Sequence, residues 1–279
     1  MLRAVAVAGL ILNGCDTGNP TEPGSPVEVE PTPPPAQSGP FSPSVGATWH
    51  WQLDGPVNTS YDVEVYDIDL FDASASLIGQ LRAQGRTTIC YFSAGSFEPN
   101  RPDSDQFRSV ELGLPLEGFS DERWLDIRSE NVLEIMRARL SVAATKGCDG
   151  VEPDNVDGYA NDTGFPLTGA DQLTFNRFLA DEAHSRGLSV GLKNDIGQID
   201  QLVADFDFSL NEQCHEFSEC QLLEPSIRAG KPVFNAEYLP LYVNDAAERQ
   251  RLCADSRSRG FSTLILPLEL DDSFRLSCD

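Results

Sequence analysis

Asp149, Glu152, Asp154 and Asp157 lie within nine residues of one another in Gly147–Tyr159, GCDGVEPDNVDGY. The stretch reads as a short buried strand running into a loop. Carboxylates this close repel one another, and a strand interior disfavours Asp. Acids gathered at the end of a strand serve a metal, a sugar or acid–base chemistry; the plainer alternative is a solvated acidic loop. Four such acids have the right donor type for Ca²⁺, but their spacing is not that of an EF-hand loop.

The elements that would hold these acids follow one pattern from Val45 onward. A helical stretch ends in Gly, and a β-rich run follows within a few residues. Gly85 precedes Thr87–Phe92, Gly147 precedes Gly150–Glu152, and Gly187 precedes Ser189–Leu192. Gly230 precedes Val233–Asn235, and Gly260 precedes Phe261–Leu266. Glycine there is the left-handed residue that closes a helix. Val132, Ile135, Met136 and Leu140 keep helical spacing, as do Leu173, Phe178 and Leu179 behind a Thr168-x-x-Asp171 capping box. With Val63–Ile68, Trp124–Ile127 and Phe206–Leu210 added, eight strands alternate with helices. That is the pattern and size of an α/β chain folded as a single (β/α)8 TIM-type barrel. A doubly wound sheet is the runner-up, but no Gly-x-Gly-x-x-Gly or phosphate loop follows any strand.

In such a barrel the site lies at the carboxyl ends of the strands. Those ends carry Asp67 and Asp69, Tyr91 and Ser93, Asp126, then Glu152 and Asp154. Lys193 and Asn194, Asn211 and Glu212, Glu237 and Tyr238, and Glu269 follow. The opposite ends carry no comparable set, so the asymmetry predicts an enzyme for a polar, polyhydroxylated substrate. There is no Gly-x-Ser-x-Gly elbow, and Ser93-Ala94-Gly95-Ser96 has no base nearby. With only His50, His184 and His215 and no Cys-x-x-Cys, no metal and no cofactor are expected. Paired carboxylates remain, and they suit glycoside hydrolysis: one attacks or stabilises the anomeric carbon while the other protonates the leaving oxygen. Two acids on different strands facing across a pocket are required. Asp154 and Glu212 meet that condition.

Composition sets the surroundings. A formal charge of −24 argues against nucleic acid and fits a cationic polymer, or simply an exported protein kept soluble by charge. Arg3, the apolar run Ala4–Leu12 and Leu12-Asn13-Gly14-Cys15 read as an export signal over 1–14. The Leu-x-Gly-Cys element resembles a bacterial lipoprotein box, which would lipidate Cys15. Residues 15–44 are a Pro-rich tether with almost nothing to bury, expected to be disordered, and 45–279 form the domain. The membrane would be met through that anchor alone. Cys90, Cys148, Cys214, Cys220, Cys253 and Cys278 remain, an even number with about 15 possible pairings. Cys214–Cys220 closes a short loop; Cys90–Cys148 and Cys253–Cys278 are the simplest remainder.

The chain resembles glycoside hydrolase family 114, the endo-α-1,4-polygalactosaminidases. The resemblance runs through Trp49-His50-Trp51-Gln52-Leu53, Tyr91-Phe92-Ser93-Ala94-Gly95 and Trp124-Leu125-Asp126. It continues through Gly150-Val151-Glu152-Pro153-Asp154-Asn155-Val156-Asp157, Gly191-Leu192-Lys193-Asn194, Asn211-Glu212-Gln213-Cys214 and Glu237-Tyr238. It implies a (β/α)8 barrel, with the family's catalytic Asp at Asp154 and catalytic Glu at Glu212. The implied activity is cleavage inside α-1,4-linked galactosamine chains, a cationic polysaccharide, by a monomer. By analogy with related α-glycosidase barrels, Asp154 is expected as nucleophile and Glu212 as acid/base, with retention of configuration. Lys193 is expected to keep Asp154 ionised. Trp51, Tyr91, Asp126, Asn155, Asp157, Asn194, Glu237 and Tyr238 complete the expected substrate contacts, and Glu152 is expected as a buried neighbour. The alternatives are an α-glycosidase for another α-galactoside or amino sugar, and a carbohydrate-binding lipoprotein without catalysis.

Overall fold

The computed structural model describes residues 42–279. The expected signal peptide, Cys15 and nearly all of the tether lie outside the described residues. Runs rich in β-branched and aromatic residues, such as Thr87–Ser93 (TTICYFS), form the strands. Eight of them run parallel: β1 (Trp49–Gln52), β2 (Val65–Asp69), β3 (Thr87–Ser93), β4 (Gly150–Asp154), β5 (Ser189–Lys193), β6 (Phe208–Glu212), β7 (Val233–Glu237) and β8 (Ser262–Ile265). Each pairs with the next in chain order, and Leu276–Ser277 adds a ninth, antiparallel strand beside β8. From β2 onward helices cross from one strand to the next, the longest being Glu130–Lys146, Gly169–Ser185 and Ala246–Arg259, while a loop joins β1 to β2. The fold is a (β/α)8 barrel.

Period-two alternation divides each strand between two cores. Tyr66, Ile68, Cys90, Phe92, Val151, Val190 and Leu192 face outward and pack on helix residues such as Leu81, Met136, Leu140 and Leu179. Trp49, Val65, Ile89, Phe208, Phe234 and Leu264 fill the inside of the barrel. Each such large apolar side chain contributes about 1.5–3 kcal/mol on full burial. The interior accommodates Phe208 because Gly191 faces it: a Cβ on Gly191 would lie 2.2 Å from the Phe208 ring. No backbone ladder joins β1 to β8 among the described residues. The seam is closed by Trp49 Nε1 donating to Ser262 O at 3.0 Å, by Arg275 Nη2 donating to Trp49 O at 2.5 Å, and by Leu53 N donating to Leu270 O at 3.0 Å.

The expected helix-closing glycines Gly85, Gly147, Gly187, Gly230 and Gly260 all have positive φ. The Thr168–Asp171 capping box forms in both directions. One strand differs from expectation. Trp124–Leu125 ends the strand Phe119–Leu125, which pairs antiparallel with Leu112–Leu116 and Ser96–Phe97 in a separate three-stranded sheet. A tight turn at Glu117-Gly118 forces that antiparallel pairing, whereas a parallel barrel strand needs a crossover. The eighth barrel strand is instead Trp49–Gln52. Cys90–Cys148, Cys214–Cys220 and Cys253–Cys278 are disulfide-bonded.

The loop after β3 meets the end of β4 with no space left over. Ala94 N and Gly95 N both donate to Asp154 O, and a Cβ on Gly95 would lie 1.8 Å from the Asn155 carbonyl oxygen. Because the obstacle is backbone, Gly95→Ala should cost at least the about 1–3 kcal/mol typical of overpacking. Urea unfolding would show this as a lowered midpoint with an unchanged slope; an unchanged midpoint would contradict the close approach.

Candidate active site

Three carboxylates from the ends of β4 and β6 converge on one ammonium group at the end of β5. Lys193, the last residue of β5, places Nζ 2.9 Å from Glu152 Oε1, 3.2 Å from Asp154 Oδ1 and 3.3 Å from Glu212 Oε2. Its side chain is 2 % exposed, Glu152 is fully buried, and Asp154 and Glu212 keep 18 % and 26 % exposure. The ammonium also stands 4.8 Å from the Trp51 ring centre and 5.9 Å from that of Tyr91. Burial opposes its charge, but Asp154, Glu152 and Glu212 together hold the Lys193 pKa well above its ordinary value.

Glu212 is tied on both oxygens. Tyr238 donates its hydroxyl to Oε1 at 2.5 Å, and Asn194 Nδ2 donates to Oε2 at 3.2 Å. Asn194 Oδ1 in turn accepts from the Glu212 backbone N–H at 3.0 Å. Burial pushes Glu212 up, yet Lys193, Tyr238 and Asn194 outweigh it and hold its pKa below the ordinary range. Asp154 is braced from behind by β3 through its carbonyl. Asn155 Nδ2 donates to Ser93 Oγ at 2.9 Å, fixing the turn that follows. Asn155, Asn194 and Gln213 each follow a charged strand end and each has left-handed backbone, with φ of 60°, 49° and 64°. Such conformations cost of order 1–3 kcal/mol and gather at functional sites.

These groups open into a cavity of about 890 Å³ over the carboxyl ends of the strands. Its lining includes Asp54, Asp69, Glu117, Asp154, Asp157, Asp162, Glu212 and Glu269 against only Arg101 and Lys193. Arg101 is itself committed to Asp69, at 2.6 Å, and to Glu98. A second lobe of about 390 Å³ shares Asp157, Asn194, Glu212 and Gln213 with the first and continues to Tyr159, Phe217 and Glu219. The cleft therefore continues past Glu212 into the second lobe. Phe119 on one lobe and Phe217 on the other are 56 % and 60 % exposed.

Of the expected contacts, Tyr91, Asn155, Asp157, Lys193 and Asn194 line the cavity. Trp51 lies on its floor, 1 % exposed, stacked on Trp49 and turned toward Lys193, so its ring is no open platform. Tyr238 reaches the site through Glu212. Two expectations fail. Asp126 lies on the loop after the antiparallel strand and is locked to Arg128 Nε at 2.7 Å, outside the cavity lining. Glu237 faces out of the barrel, because Ala236 and Tyr238 flank it inward; its Oε1 accepts from His215 N at 2.9 Å. Residues not foreseen are Phe119 and Trp124, on the antiparallel strand, and Tyr159 and Phe217, after β4 and β6; none carries a barrel strand-end signature. Among the described residues the cluster Cys214, His215 and Cys220 has metal-ligand spacing, but both sulfurs are bonded to each other.

Several buried acids hold protons unusually tightly. Burial raises Glu122, Glu237 and Asp195 to about 7, with the last also facing Asp157. Burial and the neighbouring Asp154 raise Asp157 to about 6. These four acids bind more protons in the folded than in the unfolded chain between about pH 4.5 and 7, outnumbering His50 and His215, which burial shifts the opposite way, so stability falls as pH rises through that window. The thermal midpoint should be higher at pH 5 than at pH 8 in buffers of equal ionic strength. A midpoint that rises across that interval would contradict these assignments.

The sequence matches glycoside-hydrolase family GH114 over residues 30–279. Among solved structures, Ega3 of Aspergillus fumigatus in complex with galactosamine is 42% identical, with a TM-score of 0.82, covering 88% of this chain and 100% of that one. The glycoside hydrolase domain of PelA from Pseudomonas aeruginosa shares the fold at a TM-score of 0.66 and 16% identity, covering 82% of this chain and 98% of that one. No curated protein matches the chain.

Proposed function

The chain belongs to glycoside-hydrolase family GH114 and is a glycosidase, and we propose that it cuts α-1,4-linked galactosamine polysaccharide inside the chain, with retention, through Asp154 and Glu212. The observation that carries this reading is the pair itself: two carboxylates from β4 and β6, each on the Lys193 ammonium, facing an acid-lined cleft. Acids in a partly desolvated cleft suit a substrate bearing ammonium groups. The relative solved with galactosamine supports the same sugar. A cleft that continues from the pair into a second lobe suits a polymer lying along it, hence endo cleavage. The three disulfides suit an exported protein, and Cys15 would supply the anchor.

In the proposed reaction Asp154 attacks the anomeric carbon and the bond to the leaving oxygen breaks as Glu212 protonates that oxygen. Water, giving its proton to Glu212, then attacks the glycosyl ester and frees Asp154. The Asp154 and Glu212 oxygens that touch Lys193 can be no farther apart than the sum of the two contacts, about 6.5 Å. Retaining pairs stand about 5–5.5 Å apart and inverting pairs about 6.5–9.5 Å; retention is proposed by analogy with related α-glycosidase barrels. The free site holds Glu212 ionised, so its acid form must arise when bound polymer excludes water, burial being already the largest influence on it. The same observation favours a second assignment in which the roles are exchanged.

Full-length protein incubated with de-N-acetylated polygalactosamine should release oligosaccharides, and the first-formed products should carry the α-anomer by NMR. Glu212→Gln and Asp154→Asn should each lose on the order of 10²–10⁴-fold in kcat. β-Anomeric first products would overturn retention, and wild-type protein no faster than Asp154→Asn would overturn the hydrolase reading for this substrate. Azide rescue distinguishes the two assignments: with Asp154 as nucleophile, Asp154→Gly yields the β-glycosyl azide and Glu212→Ala the α-azide.

A further inference from the structure

Behind the Lys193 cluster lies an acid that the proposed reaction does not use. Asp67, on β2, is fully buried, and neither of its carboxyl oxygens has a hydrogen-bond donor; Glu152 Oε2 is likewise unmatched. A buried carboxylate without a donor is strongly disfavoured, and the group takes up a proton instead. That proton needs an acceptor, and Glu152, whose other oxygen holds Lys193, is the neighbouring carboxylate. We propose that Asp67 is a positioning residue, a permanently protonated carboxyl that donates its hydrogen to Glu152 and so fixes Glu152 as the third anion on Lys193.

The geometry explains why a third anion is needed. Lys193 meets Asp154 and Glu212 at nearly equal distances and Glu152 more closely. Glu152 thereby draws the ammonium down into the barrel, leaving the outward faces of Asp154 and Glu212 to the substrate. Other charged or titratable groups around this assembly are Asp157 beside Asp154, and Tyr91 and Tyr238, both kept as phenols by burial. Burial and the adjoining Glu152 raise the Asp67 pKa well above its ordinary value; burial also raises Glu152, to about 7, but Lys193 and the hydrogen bond from Asp67 pull it down, so the proton between the two rests on Asp67.

This inference rests on Asp154 and Glu212 being the catalytic pair, so its test has one arm that does not depend on activity. In the infrared spectrum of the full-length chain at pH 8, a protonated-carboxyl C=O band should be present in wild type and Glu212→Gln and absent in Asp67→Asn. In the kinetic arm, Asp67→Asn should keep kcat within about 3-fold, because its amide N–H replaces the lost donor, whereas Asp67→Leu should lose about 10-fold or more. Glu152→Gln, which frees Lys193 to act on the catalytic pair alone, should move the acid limb of the kcat/KM profile to lower pH. A missing infrared band, Asp67→Asn as impaired as Asp67→Leu, or an acid limb unmoved in Glu152→Gln would overturn the proposal. A present band without hydrolysis by wild type would uphold the proton assignment and reject the catalytic reading.

Discussion

One buried ammonium organises the mouth of this barrel. Taking a lysine out of water costs several kcal/mol unless partners compensate, and Lys193 has three carboxylates within 3.3 Å. The reverse also holds: Glu152, Asp154 and Glu212 could not share so small a volume without a cation between them. Neither side of the arrangement is stable alone, so strands β4, β5 and β6 must end at the same height. The parallel ladder sets that height through Gly150 opposite Ser189 and Lys193 opposite Leu210.

The backbone past those strand ends supports the same requirement. Asn155, Asn194 and Gln213 turn left-handed directly after Asp154, Lys193 and Glu212. Each turn stops its strand and leaves the charged side chain at the rim. Asn is among the few residues that adopt this conformation readily, and both Asn side chains are also used. Asn155 ties its turn to Ser93, and Asn194 ties β5 to β6 through Glu212. The strain at Gln213 is offset nearby by its N–H bond to Ala236 O.

Much of this was legible in the sequence, and the misses have physical causes. Glycine after each helix and β-rich runs before polar strand ends disclosed the barrel and put Asp154 and Glu212 on facing strands. Position at a strand end does not place Glu237, because parity does: Phe234 and Ala236 fill the interior, so period two sends Glu237 outward and Tyr238 inward. Asp126 was misplaced because Trp124–Ile127 looks like a strand, while the turn at Glu117-Gly118 just before it marks a hairpin. Trp49–Gln52 carried a motif but no preceding helix, which hid it as β1. Phe119, at the start of the antiparallel strand, and Phe217, in the loop after β6, reach the cleft only through tertiary folding, and no local spacing announces that.

A buried cation beside a site that must receive a cationic sugar looks contradictory, and the charge count resolves it. Lys193 is outnumbered by the three acids it touches, with Asp157 beyond them and further acids along the cleft wall. The field seen from the cleft therefore stays negative, which favours both the ammonium groups of the polymer and the positive charge that develops at the anomeric carbon in the transition state. Lys193 does not supply the attraction. It makes the attraction possible, by letting carboxylates that would otherwise repel one another and take up protons stand close enough to act on the same glycosidic bond.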